Sequence, residues 1–428
     1  MKVNFANVYK FTGVVLLLLI FVGCSSDSDA AGDSADPEAT NLVFWAPFSG
    51  GDADFMRDLI ANFNEAHEGI EVEYLTVPDS EYYTKIRTSV TSNQAPDIAI
   101  SHASRIAELQ SSNLIENLDE FASEAAVDWD SYNQNILSST IINDQHFAIP
   151  LDTHALIMYA NKDILEEAGV LDSNGLPIVG EGADGFIDFL STIKENTSDD
   201  IFPLAATSSG YSALRVWWTL YSQMGGELLN EAGTEAAFNN EIGLEALHYM
   251  EELMDQGLWP RNIQNGGEIF TANRAGIHIN GVWMTGALEN NESLNFVALP
   301  IPQLFGEQAT WGDSHTFVLP ANQNQTEEKK VASLLFADWV AENSASWAEA
   351  GHVPSKTSVV ESNEFNELPY RKDYAELTDY VSFMPSSSKT TGISDSIARH
   401  ISTFMSGQTN AQETLDILEQ DINNILSN

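Results

Sequence analysis

The chain has 428 residues, 43% hydrophobic and 10% aromatic, with 18 Lys plus Arg against 63 Asp plus Glu, a formal net charge of -45. Such a surface repels phosphate backbones and anionic headgroups, which excludes nucleic-acid binding and a polybasic membrane contact and favours an uncharged or cationic ligand. A saline habitat selects the same excess of acid, and composition does not separate the two.

At the amino terminus Lys2 and Lys10 flank a polar start, and an uncharged apolar run from Phe11 to Val22 follows, the layout of a secretory signal. The run is too short for a membrane span, which needs about 20 apolar residues. Phe21-Val22-Gly23-Cys24 resembles a bacterial lipobox, with Phe21 in place of the usual aliphatic residue. The expectation is a signal peptide over 1–23 and a lipid on Cys24. The protein is then exported to the cell envelope, either lipid-anchored to the outer face of the cytoplasmic membrane or periplasmic. Cys24 is the only cysteine, so a disulfide or a cysteine-ligated metal is impossible within one chain. Residues 24–40 are small and acidic and cannot bury a core; they read as a disordered tether reaching roughly 20 Å.

From Asn41 onward the chain reads as globular, and about 390 residues exceed what one core usually holds, so two domains are expected. Leu42 to Trp45 is a short strand. Asp52 is placed to cap a helix whose Met56, Leu59, Ile60 and Phe63 share one face. Ile70 to Val77 alternates as a strand, Ser80 to Ser92 is a helix, and Pro96 to Ile100 a buried strand. That order predicts a mostly parallel sheet covered by helices. Ile141 to Ile149 reads as a hairpin around Asn143-Asp144, and Leu156 to Tyr159 as a strand feeding a helix. Glu241 to Gln256 is strongly amphipathic. Strands are expected at Ala275 to Ile279, Phe296 to Leu299 and Thr316 to Leu319. The last helix, Ala411 to Leu426, carries Leu415, Ile417, Leu418, Ile422 and Ile425 as its apolar set.

Five motifs then become specific together. Leu42-Val43-Phe44-Trp45, Gly69-Ile70-Glu71-Val72, Tyr82-Tyr83-Thr84-Lys85 and Ala95-Pro96-Asp97-Ile98 form the first set, and Phe147 to His154 followed by Tyr159-Ala160-Asn161-Lys162 the second. Gly276 to Trp283, Trp311-Gly312-Asp313-Ser314-His315 and Ala350-Gly351-His352-Val353-Pro354 complete them. In order and spacing the chain resembles the family 1 extracellular solute-binding proteins of bacterial ABC sugar importers, the maltose-binding-protein-like group. The resemblance implies an α/β fold, a two-domain clamshell of the type II periplasmic-binding-protein kind. Its lobes would be 41–152 with 314–354, and 153–313 with 355–428, with hinges near Pro150 to His154, Asp313 to Thr316 and Val353 to Lys356. It further implies closure on a ligand that touches both lobes, and a monomer that delivers a carbohydrate to the transmembrane subunits of an ABC permease.

A sugar presents hydroxyls and an apolar C-H face, so its site needs aromatic platforms and short polar side chains. Trp283 starts a helix after a strand, where ligands of open α/β sheets approach, and by resemblance it is a stacking platform, with Gly281 beside it. Trp311 stands in a loop at the hinge, and Trp218 is the member of the Trp217-Trp218 pair expected to face the cleft. Tyr211 and Arg215 occupy the preceding turn, where the family places ligand contacts. Arg215 is the only obvious counter-charge for an anionic ligand. In the first lobe Phe48 lies in the glycine-rich loop Pro47 to Asp52, a poor phosphate cradle with no Lys or Arg. Ser101, His102 and Ser104 follow a strand end, and Asp152, His154 and His315 lie in the crossover. For each, a packing or backbone-satisfying role competes with ligand contact.

Enzymatic readings are weaker. Gly180 to Gly185 fits GxGxxG, but Glu181 and Asp184 would face a pyrophosphate and no adequate strand precedes it. HExxH, GxSxG and P-loop motifs are missing. The nine histidines are scattered, none paired with another at metal-ligand spacing. No catalytic residue, cofactor or metal is therefore expected. A glycoside hydrolase would need one protonated and one ionised carboxyl across the bond, and nothing marks such a pair. A surface glycan adhesin or a sensor partner with the same fold is the remaining alternative. Polyols, glycerol phosphodiesters and polyamines are the other ligand classes this group takes.

Overall fold

The computed structural model describes residues 39–428. The signal peptide, Cys24 and nearly all of the expected tether lie outside the described residues. Strand β1 (Thr40–Ala46) leads through the helix Gly51–Ala66 to β2 (Ile70–Thr76), and through the helix Asp79–Thr91 to β3 (Ile98–His102). β1 pairs in parallel with both β2 and β3, as the strand-helix alternation predicts. Along β1 the side chains alternate between two cores. Leu42, Phe44 and Ala46 face the core built with the helices Gly51–Ala66 and Glu327–Glu342, while Trp45 faces Tyr82, Ile86 and Ala99.

Two local expectations need correction. Asp52 does not cap the first helix: Gly50, at φ 58, turns the chain two residues earlier, and Asp52 lies in the first turn. A left-handed glycine there sets the entry, and the carboxylate instead meets the positive end of the helix dipole. In the last helix, Ala411–Ser427, Leu415, Leu418 and Ile422 are buried but Ile417 is exposed, because it sits between the buried rows at 415/418/422. The hairpin β4 (Ile141–Ile142) and β5 (Gln145–His146) forms as expected, with Asn143 and Asp144 both at positive φ, the backbone a tight two-residue turn demands.

The chain then crosses from one sheet to another. β6 (Ile149–Pro150) closes the first sheet, and after the single residue Leu151 the ten-residue β7 (Asp152–Asn161) runs into the second. Every residue of β7 is buried. It pairs on its way with β9 (Ala275–Gly281), β10 (Phe296–Pro300) and β11 (Thr310–Asp313), while β8 (Phe202–Leu204) flanks β9. Ser314 alone separates β11 from β12 (His315–Val318), which returns antiparallel to β3 and β6 in the first sheet. A third crossing is β13 (Val353–Pro354), paired with Asp152 and Thr153 at the start of β7. β14 (Val381–Ser382) edges the second sheet beside β11. The orders are β2-β1-β3-β12-β6 and β14-β11-β7-β9-β8.

The fold is thus an α/β clamshell architecture with two sheets, each with its own core, joined by three passages within one compact unit, Ala39–Asn428. The passages are cross-tied. Leu151 N-H donates to the His315 carbonyl at 2.8 Å, Ser355 Oγ to the Pro150 carbonyl at 2.6 Å, and Ser314 Oγ to the Asp152 carbonyl. Among the described residues no helix is long and apolar enough to cross a membrane.

Candidate functional site

The carboxyl ends of β3 and β11 and the amino end of the helix Gly210–Gln223 converge on a cavity of about 500 Å³ that both halves line. His102, Ser104, Tyr211, Arg215 and Trp311, five of the residues expected from sequence, border it. A second cavity of about 590 Å³ lies on the other side of the crossover, bordered by Asp52, Phe55, Trp283, Glu289 and Arg371. Trp283 and Trp311 stand edge to face at 6.3 Å, one ring for each cavity, and His154 touches both, at 5.8 and 6.3 Å.

Arg215 joins the two rings. Its guanidinium lies over Trp311 and Trp283, and its Nε is buried with no hydrogen-bond partner. Burial lowers its pKa to about 10, partly offset by Asp313, so it stays cationic at neutral pH. Arg215 is not the cavity's only cation: Arg105 also borders it, over the Tyr83 ring at 4.9 Å and paired with Glu108 at 3.4 Å. The absence of a second counter-charge expected from the sequence is therefore corrected. A spatial neighbour from the turn after β3 supplies it.

Tyr211 is exposed and donates to Asp395 at 2.5 Å; burial and that carboxylate push its pKa up to about 12. Ser104 donates from N-H and Oγ to the Asp313 carboxylate, at 3.1 and 2.6 Å, a contact that spans the two halves. Burial would raise Asp313, but His102, His154 and these donors outweigh it, and its pKa is lowered. Tyr83 Oη lies 2.8 Å from His102 Nδ1, and desolvation lowers the His102 pKa to about 3. Gly281 packs beneath the neighbouring tryptophan so closely that a Cβ would fall 2.0 Å from the Trp283 ring.

Three expected residues stand behind the cavities. Trp218 is buried with Trp217, its indole N-H donating to the Ser382 carbonyl at 2.9 Å, because this helix is packed on nearly all sides and shows the cavity only its first turns. The expectation that Trp218 faces the cleft is thus corrected; Tyr211, Leu214 and Arg215 do so instead. Phe48 is buried against His315 and Trp347, at 5.0 and 4.8 Å, and Ser101 is buried within β3.

Asp152, His154 and His315 meet at the crossover, joined by His352, which sequence reasoning quoted in a motif without choosing it. Asp152 is fully buried and accepts from His315 Nδ1 at 2.8 Å, His315 N-H at 3.0 Å and the Trp347 indole at 2.7 Å. Burial opposes its charge, yet His315 and His352 hold its pKa well below the usual carboxylate range. Burial likewise opposes a charged His315, and Asp152 reverses this, raising its pKa. His154 is lowered to about 4 by desolvation and by the His315 charge. The crossover therefore holds a buried Asp152–His315 hydrogen-bonded pair beside His154, whose charged form is disfavoured. Histidines distant in sequence are brought together here, which the spacing along the chain did not anticipate.

A groove lined by aromatic faces and by polar groups at strand ends, in a two-sheet α/β body, has the make-up of a ligand-binding site. Residues 49–347 match the family described as bacterial extracellular solute-binding proteins, and the chain belongs to that family. Among its relatives, the maltodextrin-binding protein MdxE of Bacillus subtilis is 23% identical over 68% of this chain and 70% of its own length. The cyclic alpha-maltosyl-1,6-maltose binding protein of Arthrobacter globiformis is 23% identical, with a TM-score of 0.76 over 91% of this chain and 99% of that one. UgpB of Mycobacterium tuberculosis, solved in complex with glycerophosphocholine, is 16% identical, with a TM-score of 0.79 over 91% and 99%. Family and fold neighbours are binding proteins, and the family is an extracellular one.

Proposed function

We propose that the protein is the lipid-anchored substrate-binding subunit of an ABC importer, which captures a neutral di- or oligosaccharide and delivers it to the permease. The observation that carries the sugar is the pair Trp283 and Trp311, set edge to face with one ring for each cavity. Two separate aromatic platforms suit successive rings of an oligosaccharide, whose C-H faces stack while the hydroxyls find Ser104, Arg215 and Tyr211. Arg215 and Asp313 line the first cavity together, and Arg105, which also lines it, is paired with Glu108 outside it, a balance of charge that suits an uncharged guest. The ligands named for the Bacillus and Arthrobacter relatives are of this class.

In this reading one lobe comprises residues 41–152 and 314–354, the other 153–313 and 355–428, and the three passages act as the hinge. Closure gains free energy because the guest contacts both lobes. Cys24 carries the lipid that holds the protein at the outer face of the membrane.

A second reading has one observation in its favour: two arginines, Arg105 and Arg215, border the first cavity, and guanidinium forks match phosphodiesters. The test is a thermal-shift panel of neutral oligosaccharides with glycerophosphodiesters and polyamines as comparators, since a ligand that binds only the folded state raises the melting temperature. Stabilisation by a neutral oligosaccharide supports the proposal. Stabilisation by a phosphodiester alone replaces it with the second reading, and release of reducing ends over hours makes the protein a hydrolase. A pull-down that recovers a sensor kinase or no permease subunit favours the adhesin or sensor role.

A further inference from the structure

The geometry points to a divalent transition-metal site at the crossover, in which Asp152, His154, His315 and His352 hold one ion of the zinc class. The four side chains are all buried, and each can offer one donor atom such that all four lie within 4.8 Å of one another. A tetrahedral ion with imidazole and carboxylate ligands needs donors about 3.4 Å apart, so the set draws in by roughly 1 Å. Three imidazoles and one carboxylate are the ligand types that zinc, nickel and copper prefer over magnesium or calcium.

The second, independent observation is His352. It is 1% exposed, and neither Nδ1 nor Nε2 has a hydrogen-bond partner among the described residues. A buried imidazole with both nitrogens unsatisfied is costly unless something else binds it. Its surroundings show what. Nδ1 faces the Asp152 carboxylate at 3.7 Å, and Nε2 faces the Asp52 carboxylate at the same distance. A metal-bound histidine characteristically gives its other N-H to a carboxylate, and Asp52 is placed to receive it. The Trp347 indole already fixes Asp152 from behind, a further outer contact of the kind that orients a ligating carboxylate.

The site has an entry and a consequence. Asp52 borders the second cavity, so an ion reaches His352 from that side, drawn by a strongly acidic surface. Asp152 and His154 come from the first passage between the sheets, His315 from the second, and His352 immediately precedes the third. One ion would therefore staple all three passages and stiffen them. The inference stands apart from the sugar-binding reading, because binding of the ion is read without any carbohydrate.

The experiment loads metal-stripped protein with zinc chloride in millimolar magnesium, removes free metal by desalting, and counts zinc per chain by mass spectrometry. One equivalent is expected, with a higher melting temperature that saturates at that ratio. His352→Gln and His154→Gln should each lose at least nine-tenths of it, while His248→Gln, at an exposed helix position, keeps it. Should the variants fail to fold, cobalt added to the unaltered protein decides: an intense visible spectrum of a tetrahedral, imidazole-bound ion supports the site. Zinc that washes out, retention unchanged in both site variants, or an octahedral aqua-type cobalt spectrum would each overturn it.

Discussion

The guanidinium of Arg215 lies 4.3 Å from the centroid of the Trp311 ring and 5.0 Å from that of Trp283, so one cation spans the aromatic faces of both cavities. A cation so placed interacts with the ring quadrupoles while its N-H groups remain free for a guest. Arg215→Ala is expected to weaken ligand affinity about tenfold, or about 1.4 kcal/mol. Arg215→Lys should recover only part, because an ammonium keeps the charge but not the planar fork. Calorimetry with the best ligand of the thermal panel checks this, and equal affinities for all three proteins would remove Arg215 from the site.

Trp283 and Gly281 form a matched pair. Truncating Trp283 to Ala should cost more than about 1 kcal/mol of affinity, as stacked aromatics in desolvated pockets tend to be hot spots. Gly281→Ala should weaken binding in the same direction without deleting any contact group, because its methyl would occupy space 2.0 Å from the ring and displace it. A shift in tryptophan emission should accompany the loss. Normal affinity in Gly281→Ala would mean that the ring's position is unimportant.

Acid sensitivity has a definite contributor in His278, fully buried in β9, where Nδ1 donates to the Ala205 carbonyl. Desolvation lowers its pKa to about 4, only partly resisted by that hydrogen bond. Between pH 6.5 and 4 the unfolded chain therefore binds more protons than the folded one, so stability falls as pH drops through that window. The contribution is on the order of 3 kcal/mol. His278→Asn keeps a donor toward Ala205 but cannot titrate, and its urea stability should change less between pH 7 and pH 4.5 than that of the parent. Equal slopes would count against His278.

Anchoring rests on one atom. Cys24→Ser should move the protein from the membrane fraction to the soluble fraction and abolish incorporation of labelled fatty acid, with thermal stability unchanged. Membrane retention in the variant would contradict lipidation at Cys24.

Several elements were legible because they depend on local pattern. Alternation along β1, the periodic faces of the helices and the Asn143-Asp144 turn each follow from the chain's own stereochemistry. Trp283 and Trp311 in the family motifs, His102 and Ser104 after a strand end, and Tyr211 and Arg215 at a helix start all border the two cavities. Trp218 was misplaced because a helix packed on nearly every side has no single inward face, so its periodicity does not say which tryptophan meets the groove.

Local pattern, composition and ordered motifs thus determined the α/β class, the acidic surface and the family, since these are properties of short stretches read one after another. The meeting of Asp152, His154, His315 and His352 was decided only by the tertiary structure. It arises from three strands that pass between two sheets at one point, and distance along a chain carries no information about which distant residues such a crossing brings face to face.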